Sequence, residues 1–85
     1  MEFVITGITP PSMDESRVAH IAMLGNSNDC YLLNLNPLVQ ECNKASGAFL
    51  SEDRKVIVDA GLIVLREKNN KHLREWVAGD TLEEL

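Results

Sequence analysis

Two histidines, two cysteines, three pairs of adjacent acids and a set of serines are the residues of this chain that could act on a substrate, and their spacing decides whether they do. Imidazole is the usual acid, base or metal ligand near neutral pH. His20 stands among Val18, Ile21 and Met23 with no second ligand type at metal spacing, which favours a structural role. His72 lies in the charged stretch Lys71-His72-Leu73-Arg74-Glu75, where a surface or phosphate contact is easier to support than catalysis. Cys30 and Cys42 form no CxxC, so neither a zinc pair nor a thioredoxin-like redox pair is expected, and both read as reduced core thiols.

The acid pairs Asp14-Glu15 and Glu52-Asp53 are explained as carboxylates near helix N-termini, where the dipole favours negative charge. Glu83-Glu84 falls in the C-terminal stretch. Serines 12, 16, 27, 46 and 51 have no GxSxG context, and glycines 7, 25, 47, 61 and 79 form no phosphate loop but punctuate element ends. The expectation is a protein without catalytic residues, bound metal or cofactor.

What remains is a surface. Between Arg54 and Arg74 the chain carries six cations against Asp59 and Glu67, while the rest holds Arg17 and Lys44 against eleven carboxylates, within a net charge of −5. Charge segregated in this way is a statement about partners. Trp76 is the only tryptophan, and with Leu73 and Val77 it makes an apolar patch beside the basic run. It reads as a core anchor or as an interface hot spot, a role for which Trp and Arg are enriched. Arg66, Arg74 and Trp76 are therefore the candidate partner-binding residues.

The elements that must position them follow from pattern. Glu2–Ile8 is β-branched and aromatic up to Thr9-Pro10-Pro11, which predicts a strand. Ser12 followed by Glu15 has capping-box spacing, and Val18, Ile21, Ala22 and Leu24 recur at helical intervals, predicting a first helix that ends at Gly25. Cys30–Leu35 is a short buried strand or the lead-in to a second helix that starts at Asn36-Pro37 and ends near Gly47. Ser51, Glu52 and Asp53 resemble another helix start, favouring a helix to Ala60 over the competing hairpin of Lys55–Val58 and Leu62–Leu65. Leu62–Lys68 suggests a strand and Asn69-Asn70 a turn. Lys71–Ala78 is a return strand or a last helix. Residues 80–85 read as an acidic tail that either frays or docks as one helical turn.

The run Leu38-Val39, the turn near Gly47 and Val56-Ile57-Val58-Asp59-Ala60-Gly61-Leu62-Ile63 resemble the end of a winged helix-turn-helix. That resemblance implies DNA binding, with a helix over 48–60 in the major groove, Leu62–Val77 as the wing, and Lys68, Lys71 and His72 near phosphates. Glu52 and Asp53 at the exposed start of such a helix would repel phosphates, which places this reading second.

At 85 residues with 45% hydrophobic and 25% charged side chains, the chain is expected to fold around a single core. The expectation is a small α+β domain over residues 1–79, with three to four helices and a short β-sheet or hairpin, the winged helix-turn-helix being the alternative. No apolar run approaches the roughly 20 residues of a membrane helix and no signal-peptide pattern opens the chain, so a cytoplasmic location is expected. The expected function is that of a regulatory or adaptor domain acting by protein–protein contact with another protein or, as a homodimer, with itself. DNA is the less favoured partner.

Overall fold

The computed structural model describes residues 1–9, 17–26, 28–36, 38, 44 and 46–85. They form seven strands: β1 (Glu2–Thr9), β2 (Val18–Met23), β3 (Asp29–Asn34), β4 (Ala48–Leu50), β5 (Val56–Val58), β6 (Ile63–Glu67) and β7 (Thr81–Glu84). All pair antiparallel in one sheet of order β3-β2-β1-β7-β6-β5-β4. The end strands β3 and β4 come within 8 Å between Cα atoms, so the sheet curls into a nearly closed barrel. The Tyr31 ring on β3 lies against Gly47 at the head of β4, 3.6 Å from where a Cβ would stand.

The expected α+β fold with three to four helices, and with it the winged helix-turn-helix, is therefore wrong: among the described residues the regular structure is nearly all β, with single 3-10 turns at Asp59–Gly61 and Leu73–Glu75. Two segments account for most of the error. Residues 18–24 satisfy the helical interval, but they also satisfy the two-residue period of a strand once a bulge is allowed. Ala19 and Ile21 point to the core, and the register with β3 shifts after Ile21. Ser12 and Glu15, and most of the expected second helix including Cys42, lie outside the described residues.

Residues 55–65 adopt the hairpin and not the helix. Val56 and Val58 face Leu65 and Ile63, and the chain reverses through Asp59, Ala60 and Gly61, all at positive φ (52°, 57° and 93°). Ser51 and Asp53 serve the preceding hairpin in place of a helix cap, because short polar side chains bind nearby backbone in turns as readily as at N-caps. The Ser51 N–H donates to Lys55 O (2.9 Å), and the Lys55 N–H donates to Ser51 Oγ (3.0 Å).

The stretch expected as an acidic tail is the middle strand of the sheet. β7 pairs with β1 through Phe3↔Leu82 and with β6 through Glu67↔Leu82, and Leu82 is wholly buried. Alternation fills the barrel with Phe3, Ile5, Ala19, Ile21, Leu33, Ala48, Leu50, Val56, Val58, Leu65 and Leu82. Phe3 and Tyr31 cross at 5.9 Å between ring centroids, tilted by 55°.

Candidate functional site

The segment between β6 and β7 contains no strand, yet its backbone is held at every turn. Glu67, the last residue of β6, turns its side chain inward and is 4% exposed. Its Oε2 accepts the N–H groups of Asn69 (2.9 Å) and Lys71 (2.7 Å), which fixes the reversal, while Asn70 takes φ of 58°. Trp76 Nε1 donates to Lys71 O at 3.2 Å. The chain is then returned to the sheet by Asp80, which is 8% exposed and accepts Lys71 Nζ at 2.7 Å and the Val77 N–H at 3.0 Å. Burial pushes the Asp80 carboxyl up, but the hydrogen bonds from Lys71 and Val77 and the Lys71 charge outweigh it and hold the group below the usual range. The hydrogen bond to Asp80 raises the Lys71 ammonium in turn.

Across a cleft of about 260 Å³ from this segment stands the β4–β5 hairpin. Its loop holds Arg54 at φ of 67°, in a left-handed conformation that such loops usually give to glycine. Asp53 accepts from the Ser51 hydroxyl and pairs with Lys55 (3.0 Å), and the Ser51 bond first and Lys55 second keep its carboxyl below the usual range. Arg54, Lys55, Arg66 and Lys71 line the cleft against Asp53 and Glu67, with Asn70 and Trp76 completing it. The cations and carboxylates of the cleft wall are largely matched, because Lys71 is also paired with Asp80 and Arg66 with Glu83 just outside it. Lys55, Arg66 and Lys71 are each in an ion pair, whereas Arg54 has none among the described residues. Glu67 Oε1 is the buried side-chain oxygen left without a hydrogen-bond partner among the described residues.

A second feature lies on the outside of the barrel. Because Ala48, Leu50, Val56, Val58 and Leu65 point inward, the residues between them point outward, and Phe49↔Ile57 and Ile57↔Val64 line up across three strands. The Leu85 N–H donates to Val64 O (2.9 Å), which extends the row to the residue just after β7. Phe49, Ile57 and Val64 are half-buried, Leu85 is exposed, and the neighbouring Leu62 is 84% exposed. Lys44 Nζ sits 5.7 Å from the Phe49 ring centroid.

Of the residues singled out in the sequence, Trp76 is 2% exposed in the core and forms part of the cleft wall from below. Arg66 is exposed on β6, where it lines the same cleft and pairs with Glu83 at 3.2 Å. Arg74 is exposed on the second 3-10 turn and is not part of the cleft. Arg17, which the sequence did not single out, donates to the carbonyls of Arg74 (3.0 Å) and Trp76 (2.7 Å). His20 Nε2 lies 3.3 Å from Thr9 Oγ1, and His72 is exposed ahead of the 3-10 turn. Among the described residues no His, Cys, Asp and Glu group of three has the geometry for a metal ion, and no helix is long and apolar enough to cross a membrane. Arg54 and Glu67 escaped notice because a lone arginine in a turn and a lone glutamate at a strand end carry no motif.

Compared with protein-family models, curated proteins and solved structures, the chain matches none.

Proposed function

We propose that this chain is a small non-enzymatic regulatory or adaptor module that acts by protein–protein contact, and that its partner is a second copy of itself, paired through the outward face of β4, β5 and β6. The observation that supports this most is the apolar row Phe49, Ile57, Val64 and Leu85 on the convex side of a sheet whose other side is already filled, with the exposed Leu62 two positions before Val64 in the chain. A row of this kind, rimmed by polar residues, is the usual mark of an interaction surface.

Charge favours a copy of the same chain. At −5 the molecule repels itself on most approaches, but this face is balanced locally: Arg66 pairs with Glu83, and Lys68 with Glu2 at 3.6 Å. A face with both signs around an apolar centre is self-complementary under a two-fold axis. On this reading Arg66 lies at the interface, whereas Trp76 is buried in the core and Arg74 stands on the second 3-10 turn.

Light scattering on the eluting protein tests the reading. The expected mass is twice the 9.5 kDa of the chain, falling to the single mass in Leu62→Asp, whose side chain is too exposed for the change to disturb the fold. A wild-type mass of one chain up to millimolar concentration, or a dimer untouched by both Leu62→Asp and Ile57→Glu, overturns it.

A further inference from the structure

We propose that the cleft between the β4–β5 hairpin and the β6–β7 connection binds a small tetrahedral oxyanion that carries a proton, of which monohydrogen phosphate is the simplest. The proposal rests on two independent observations that meet in one cavity. The first is an attraction for anions. Three of the four cations lining the cleft are already paired, and the fourth, Arg54, brings it a guanidinium with no ion pair among the described residues. The backbone at Arg54 sits at φ of 67°, where an L side chain is disfavoured. A planar guanidinium offers parallel N–H donors matched to two oxygens of such an ion.

The second observation calls for a donor. Glu67 forms part of the cleft wall, is 4% exposed, and has one oxygen committed to two backbone N–H groups while Oε1 has no partner among the described residues. A buried acceptor left unpaired is costly, and a ligand that brings an O–H removes that cost. Glu67 lines the cleft, and a ligand O–H meets Oε1 where that wall parts, with Oε2 still held by its two backbone donors. Arg54 thus selects for charge, and Glu67 selects among anions for one with a proton to give. Sulfate has the shape and double charge of monohydrogen phosphate but no proton, and it meets Glu67 with repulsion alone.

The chain supplies its own probe. Trp76 is the only tryptophan and lines the cleft, so its fluorescence reports occupancy. Inorganic phosphate and sulfate are each titrated into the protein at constant ionic strength set with chloride. The expected result is a saturable change in Trp76 emission, with phosphate favoured over sulfate by about tenfold or more, the worth of one hydrogen bond to a charged group. Arg54→Gly, which relieves the positive φ and so keeps the fold, is expected to weaken phosphate by about tenfold. Glu67→Gln keeps an oxygen for the two backbone donors and replaces the second by an amide N–H, so it is expected to abolish the preference for phosphate. No saturable response to phosphate, an unchanged affinity in Arg54→Gly, or equal binding of the two anions by the wild type overturns the proposal. Repeating the titration in Leu62→Asp separates this site from the pairing of two chains.

Discussion

The guanidinium of Arg17, at the head of β2, donates to the carbonyl of Trp76 at 2.7 Å across 59 positions of sequence, and its other terminal nitrogen donates to Arg74 O at 3.0 Å. One side chain thereby fastens the β6–β7 connection, whose Gly79 and Asp80 are also bonded to Ile5 of β1, to the head of β2. The tryptophan beneath is held at its backbone by Arg17 and at its indole by Lys71 O.

Removing that clamp leaves two carbonyls without their charged donor. Arg17→Ala is expected to lower unfolding free energy by about 1.5–3 kcal/mol, the range for hydrogen bonds to charged groups. Arg17→Lys recovers only part of this, since an ammonium is a point donor and not a fork. Urea denaturation followed at Trp76 measures both.

The pH dependence follows from Asp80 and Lys71. Asp80 has a folded pKa below its unfolded one, so it contributes stability that is complete above about pH 4 and lost as pH falls through the lowered value. Lys71 is raised, so its contribution is complete below about pH 10 and lost as pH climbs through the raised value. The melting temperature is expected to fall at both extremes. Asp80→Asn should melt lower at neutral pH and lose most of the acidic slope; an unchanged slope would assign acid sensitivity to other carboxylates.

Three residues without glycine's freedom hold left-handed backbone in the β4–β5 and β5–β6 turns: Arg54, Asp59 and Ala60. Ala60→Gly and Arg54→Gly are each expected to stabilise by about 0.5–1 kcal/mol, the relief of the left-handed penalty less the entropy glycine adds to the unfolded chain. Chemical denaturation midpoints at equal slope test this, and a loss of stability in both variants would contradict the turn geometry.

The C-terminal strand gives the sharpest test of topology. Truncation after Gly79 removes the strand between β1 and β6 and uncovers the inward faces of Phe3 and Leu65. The truncated chain is expected to lose cooperative unfolding, since a domain of this size has about 4 to 13 kcal/mol in all. The single substitution Leu82→Ala is expected to cost about 2–5 kcal/mol. A chain ending at Gly79 that melts cooperatively would mean residues 80–85 are dispensable.

Local chemistry made part of this legible in the sequence. The first strand is where its β-branched and aromatic run lies, and the reversals at Gly25, Gly61, Asn70 and Gly79 stand where turn-forming residues stand, each at positive φ. Those features depend on one residue's own backbone preference and need no partner. The charge excess between residues 54 and 74 was equally visible, because charge is a property of composition.

Tertiary structure decided the rest. A run such as VAHIAML suits a helix face and a bulged strand about equally, and the choice fell to neighbours on both sides, β1 and β3, that no local window contains. Thr81–Glu84 has one apolar residue and two acids, so nothing in it signals a central strand. It becomes one because Leu82 closes the core between Phe3 and Glu67, and its outward Glu83 finds Arg66 across the ladder. The cleft is likewise a product of folding, for Arg54 and Glu67 are thirteen positions apart in sequence and share a wall only because the β4–β5 hairpin folds back beside the end of β6.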